Sequence, residues 1–289
     1  MRLRRDPARQ AVQLAEQLSE LPAKDAAIAL TQLVEALPDE TIMEFASALA
    51  ISRLMDYERE DVRLLLTSRF IRFRLQAAGK EPATVEWIER RVRPGDVFYD
   101  VGANVGPYAL IAAAFTQRQA KVYAFEPSAG SYHDLCRNIV LNDCHDAIVP
   151  LPVALWSQTT LTVFQQRTLA AGAGRHLLAG VPSGKKAVYR EPLLAYALDD
   201  LVEQFGLPVP NHVKLDVDGP ELQVLQGASL TLRRPEWRSL IVEVERDQEG
   251  AEAAIADLMV EAGFSLSARH DRGERAPAYL SFDKPSPML

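Results

Sequence analysis

Asp100, Gly102, Asn104 and Gly106 stand close together in the run VFYDVGANVG at 97–106, and their types suit the binding of a charged small molecule. The residues before Gly102 are the β-branched and aromatic kind that form a short strand, and Pro107 sits where proline favours opening a helix. Glycines at 102 and 106 let the backbone turn tightly and pass close to a ligand. The N–H groups at the start of the helix suit an anionic partner. Asp100, at the strand end, offers a carboxylate to an ammonium group, directly or through water. A second acid, Glu126, with Pro127 after it, follows Gly102 by roughly the 20 residues expected of an acid that accepts from both hydroxyls of a ribose. Carboxylate, ammonium and ribose together describe S-adenosylmethionine (SAM). Glycines four apart with an acid on the strand do not match the G-x-G-x-x-G spacing that cradles a pyrophosphate, so SAM fits better than a nicotinamide dinucleotide.

Two further groups suit catalysis. In KLDVDG at 214–219, strand alternation puts Asp216 and Asp218 on one side. They suit a divalent ion such as Mg²⁺ that lowers the pKa of a substrate hydroxyl, or one of them is a general base. His176 follows Gly174 and Arg175 in a Gly-rich stretch, and a histidine on such a loop is a candidate lid residue over the active site. Glu243 and Glu245 end a later strand, where one faces the pocket or both pair with Arg246 or solvent. Arg69, Arg72 and Arg74 read as a solvated face. Cys136 and Cys144 form no CxxC pair and read as reduced structural thiols.

The elements that must position these residues change character along the chain. Residues 1–80 read as helices at apolar spacing, among them 26–37, 40–55 and 64–76, and nothing in them looks catalytic. They suit a cap, a dimerisation arm that makes a homo-oligomer, or a docking segment. From residue 84 short strands at 97–101, 121–125, 147–153, 213–217 and 239–244 alternate with helices, which predicts βαβ units and a doubly wound parallel sheet. A Gly-rich insertion at 154–198 has flanks that alternate like a hairpin, and 264–269 with 278–282 form a final antiparallel hairpin. The expected architecture is α/β: a Rossmann-like, seven-stranded methyltransferase domain over 81–289 behind a helical extension over 1–80.

Composition excludes other classes. A net charge of −7 argues against a large nucleic-acid footprint. No stretch approaches the roughly 18–20 apolar residues of a membrane span, and the basic start lacks the apolar run of a secretory signal. The expectation is a cytoplasmic protein that engages neither membrane nor nucleic acid.

GDVFYDVGANVGPYAL, VYAFEPSAGSYHDLCRNIVLN, LDDLV, HVKLDVDGPELQVLQGA and SLIVEV, in that order, resemble the motifs of FkbM-type methyltransferases across about residues 81–283, and KEPATVEWI upstream resembles a subgroup. The resemblance implies a class I methyltransferase fold, SAM as methyl donor, and O-methylation of a sugar or glycan, a polyketide or a related small metabolite. It implies Asp100, Gly102, Asn104 and Gly106 at the methionyl end, Glu126 and Pro127 at the ribose, and Asp216 and Asp218 at the catalytic edge. The chain departs at Asp218, where the family often has Glu, and at Pro220, where an aromatic or His is common. Two other readings fit the bare pattern: a SAM-binding scaffold without turnover, and a nicotinamide-dependent oxidoreductase, which the glycine spacing disfavours.

Overall fold

The computed structural model describes residues 7–174, 176–178, 187–245, 250–271, 273 and 276–285. Arg175, Arg246, the VPSGKK stretch at 181–186 and part of the HDRGERAP loop at 270–277 lie outside the described residues. The chain forms two compact units, Met1–Ala50 and Ile51–Leu289. The described residues of the first form α1 (Pro7–Ser19), α2 (Ala23–Glu35) and α3 (Asp39–Ala48).

The second unit starts earlier than the helical pattern predicts. Ser52–Leu54 (β1) and Arg63–Leu65 (β2) form an antiparallel hairpin where helices are expected over 40–55 and 64–76. Side chains from another part of the fold decide this. The Asn142 amide accepts from Arg63 N at 2.8 Å and donates to Arg63 O at 2.8 Å, and Asn138 accepts from Leu65 N at 3.0 Å. These bonds satisfy the free backbone edge of β2 and outweigh helix propensity. The segment 51–80, expected with the extension, therefore belongs to the larger unit.

Short helices α4 (Ile71–Leu75), α5 (Ala77–Lys80) and α6 (Pro82–Arg91) follow. The alternation then begins: β3 (Val97–Val101), α7 (Pro107–Phe115), β4 (Lys121–Phe125), α8 (Ala129–Leu141) and β5 (Ile148–Leu151). The insertion supplies β6 (Ala154–Leu155), β7 (Thr160–Gln166), β8 (Leu177–Leu178) and β9 (Tyr189–Tyr196), a separate four-stranded sheet in which β7 and β9 pair antiparallel, as the flanks predict. The chain continues with α9 (Leu198–Glu203), β10 (His212–Leu215), α10 (Glu221–Gln226), β11 (Ser239–Val244), α11 (Ala251–Glu261) and the closing hairpin β12 (Ser265–Asp271) and β13 (Ala278–Asp283).

The main sheet has seven strands in the order β12-β13-β11-β10-β3-β4-β5. Only the β13 pairings are antiparallel. Both faces are covered, one by a core that includes Ile88, Leu110, Ile111 and Ile139, the other by Leu201, Val224, Leu225 and Met259. Strand order reverses between β3 and β10, and in such sheets ligands bind outside the carboxyl ends at that point. No helix among the described residues is long and apolar enough to cross a membrane.

Candidate active site

Register explains why distant residues meet. Val101 pairs with Phe125 and with Leu215, and Leu215 pairs with Val242. The next residue on each parallel strand, Gly102, Glu126, Asp216 and Glu243, is therefore level at the carboxyl edge. All four line a cleft of about 950 Å³, together with Asn104, Pro127, Asp218 and His176. A smaller apolar slot, lined in part by Phe125, Val153 and Leu155, shares Gly102, Pro127 and His176 with the cleft.

The glycine turn is a folding device first. Gly102 has φ +80°, and a Cβ there would lie 1.8 Å from Asp216 O, so only glycine lets the β3 and β10 ends approach. Gly106, at φ +93°, caps α7, where a Cβ would meet Leu135 Cδ1 at 2.6 Å; it is not among the residues lining the cleft. The N–H groups of the turn before the helix already have acceptors within the chain. The N–H groups of Gly102 and Ala103 donate to Phe125 O, Val105 N to Asn104 Oδ1 at 3.0 Å, and Gly106 N to Ala103 O at 2.8 Å.

Asp100 also differs from expectation. It is fully buried and is not among the cleft-lining residues. Its carboxylate accepts from Ala109 N at 2.9 Å and pairs with Lys214 Nζ at 3.2 Å. The structure therefore makes Asp100 a buried support rather than a direct ammonium ligand. Lys214 is itself buried, lies 3.4 Å from Asp216 and sits 4.9 Å from the centre of the Tyr108 ring. Burial works against its charge, but Asp100, Asp216 and Glu81 outweigh that and push its pKa up.

Glu126 receives Asn104 N at 2.9 Å on one oxygen and Ser128 N at 2.7 Å on the other. Burial pushes its pKa up to about 7 in spite of these bonds. Asn104, at φ 53°, also donates its amide to Ala173 O at 2.7 Å and so ties the insertion to the cleft.

At the catalytic edge, burial raises Asp216, but Lys214 and a hydrogen bond from Glu243 hold it below the ordinary carboxylate value. Burial and the Asp216 charge push Glu243 up to about 10, so it keeps its proton at neutral pH. Tyr279 donates its hydroxyl to Glu243 at 3.0 Å. Asp216, Asp218 and Glu243 each bring an oxygen within 4.8 Å of the others. The Lys214 ammonium, 3.4 Å from Asp216, already supplies a positive charge there, so this acid has a counter-ion without a divalent metal. Glu221, the first residue of α10, accepts from Val217 N and Gly219 N at 3.0 Å each and so fixes the turn between β10 and the helix.

His176 packs edge-on to Phe164 and accepts Arg167 N on Nδ1 at 3.3 Å. Burial, with Arg167 and Arg74 nearby, lowers its pKa to about 4, so it is neutral. The sequence also underrated several residues. Arg69, itself exposed, and the half-buried Arg74 line the cleft, and Lys80 and Glu81 line it too. Glu81 accepts the Tyr108 hydroxyl and pairs with Lys80 at 2.9 Å. One signal was present: Lys214 falls in an apolar strand two residues before Asp216, and a lysine there needs a carboxylate partner.

Comparisons with known proteins identify the family. Residues 100–266 match the methyltransferase FkbM domain. The chain is 29% identical over 172 residues to the hexuronic acid methyltransferase AglP of Haloferax volcanii, covering 60% of this chain and 65% of that one. It is 28% identical over 202 residues to the 31-O-demethyl-FK506 methyltransferase FkbM of Streptomyces tacrolimicus, covering 62% and 76%. It is 29% identical over 216 residues to the methyltransferase sdnD of Sordaria araneosa, covering 63% and 78%. The chain thus spans just under two thirds of the length of AglP. The glycine turn and the acid after β4 fall inside the matched residues, and the chain belongs to the FkbM methyltransferase family.

Proposed function

We propose that this protein transfers a methyl group from SAM to a hydroxyl of a small metabolite, a sugar or glycan, or a polyketide. The observation that carries this reading is the charge and shape of the cleft at the strand ends. Glu126 stands where a carboxylate accepts from ribose hydroxyls, and the adjoining apolar slot suits adenine. Asp216 and Glu81 oppose the positive sulfonium and ammonium groups. The taken N–H groups of the turn leave Arg74 or Lys80 for the methionyl carboxylate.

SAM supplies an activated methyl group. In the step, the acceptor oxygen forms a bond to the methyl carbon, the sulfur–methyl bond breaks, and sulfur keeps the electron pair as a thioether. The hydroxyl proton passes to Asp216, which the buried Lys214 keeps ionised. The walls of the cleft align oxygen and sulfonium, and alignment is the larger part of the acceleration for a donor already activated. The names of the relatives support the acceptor range: a hexuronic acid for one and 31-O-demethyl-FK506 for another.

Calorimetric titration of the purified protein with SAM, S-adenosylhomocysteine and NAD tests the cofactor. Binding of the first two and not the third is expected; binding of NAD alone would overturn the reading. Turnover with EDTA present is expected to match turnover without it, and a loss restored by Mg²⁺ would return the ion to Asp216 and Asp218.

A further inference from the structure

Six carboxyl side chains, Glu81, Glu126, Asp216, Asp218, Glu243 and Glu245, line the cleft, yet among the described residues two of its four cations are matched to none of them. Arg69, Arg74, Lys80 and Arg167 all line it. Lys80 is paired with Glu81 at 2.9 Å. Arg74 donates Nε to Gly172 O at 3.0 Å and faces the charges of Glu126 and Asp216. SAM brings a single carboxylate, and Arg74 stands among the groups set aside for it above. Arg69 and Arg167 then have no carboxylate partner among the described residues. Arg69 lies over the Phe70 ring at 5.0 Å, an aromatic surface that also lines the cleft. The Nε of Arg167 is buried and makes no hydrogen bond among the described residues.

The two arginines stand on walls fastened to each other. Ser68 Oγ donates to Ala171 O at 2.5 Å, and the Arg74 bond to Gly172 O is the second tie. A Cβ on Gly172 would meet Ile71 Cδ1 at 2.9 Å, so the 168–174 loop lies directly on the start of α4. The buried Arg167 Nε without an acceptor is costly, and the exposed Arg69 adds a second unpaired charge to the same cleft. An anionic ligand relieves both, because a carboxylate or phosphate accepts from the guanidinium fork in pairs.

We infer that the methyl acceptor carries an anionic group, a carboxylate or phosphate, which Arg69 and Arg167 hold while a hydroxyl of the same molecule faces Asp216. This rests on the proposed SAM-dependent transfer and adds the acceptor's charge to it. The anion is a handle apart from the oxygen that receives the methyl group, so the cofactor and the handle bind through different residues.

The test titrates D-glucuronate and D-glucose, which share a ring and differ in the carboxylate, into the full chain with and without saturating S-adenosylhomocysteine. Wild type, Arg69→Gln, Arg167→Gln and Arg167→Lys are compared. The wild type is expected to bind glucuronate and to discriminate against glucose. Each Gln variant should lose about 10- to 100-fold in glucuronate affinity, the span of one charge-assisted hydrogen bond. The Lys variant should recover part of it, and S-adenosylhomocysteine affinity should stay at the wild-type value in all three. Equal binding of the two sugars, or glucuronate affinity unchanged in the Gln variants, would overturn the assignment. A drop in S-adenosylhomocysteine affinity in those variants would overturn it too, since the arginines would then grip the cofactor. A wild type that binds no S-adenosylhomocysteine sinks the proposed function instead, and the titrations without cofactor still decide the arginines.

Discussion

Asp216 is held ionised by Lys214 on one side and by the protonated Glu243 on the other, which fits it to accept a proton as the acceptor oxygen is methylated. Asp216→Asn is expected to slow turnover about 10²- to 10⁴-fold while S-adenosylhomocysteine affinity in a calorimetric titration stays within a few-fold of wild type. A wild-type rate would remove Asp216 from the chemistry. Glu126 gives a pH signature at the other end of the cleft. Its pKa of about 7 means that it is half-protonated near neutrality, and only the carboxylate accepts from both ribose hydroxyls. Cofactor affinity should therefore rise several-fold from pH 6 to pH 8 and flatten above that. Glu126→Gln should bind more weakly and with no such rise. A parallel rise in that variant would assign the titration to another group.

At the scale of elements, the close approach of the β3 and β10 ends makes the site. The parallel register brings Gly102 and Asp216 level, and the absence of a side chain at 102 lets the strands converge. Gly102→Ala places a methyl group 1.8 Å from a backbone oxygen in a conformation that L-residues rarely adopt. The variant is expected to lose about 2 kcal/mol or more of stability, read as a lower midpoint in urea, with cofactor binding impaired as well. An unchanged midpoint would show that the strand ends can part without cost. Asp100 acts at this scale too: by pairing with Lys214 and accepting from Ala109 N it joins β3, β10 and α7 beneath the cleft.

For the whole molecule, every residue placed in the cleft lies in the unit Ile51–Leu289, including Arg69, Arg74, Lys80 and Glu81 from the segment before β3. A chain of residues 51–289 is expected to fold with a cooperative melt and to bind S-adenosylhomocysteine as the full protein does. A chain of residues 81–289 should not, because it lacks the β1–β2 hairpin held by Asn138 and Asn142 and one wall of the cleft. Equal binding by the two fragments would put the domain boundary back at residue 80. Loss of binding by residues 51–289 would make the first three helices part of the site's support.

The sequence by itself determined the sheet, the glycine turn and the acids at the strand ends, because these follow from local rules. Strand alternation, βα succession and the need for glycine at a positive φ are all written within a few neighbouring residues. It also ordered those motifs as in the FkbM family, which the match over residues 100–266 bears out. Only the tertiary structure decided which acids face the cleft. Asp100 and Asp216 look alike in the sequence, yet one is sealed beneath Lys214 and the other lines the cavity. It alone turned residues 63–65 into a strand, through asparagines more than 70 positions away, and it alone brought Arg69 and Arg167 to adjoining walls. Each of these outcomes depends on a partner supplied from far along the chain, and burial and charge pairing of that kind leave no periodic mark near the residue they govern.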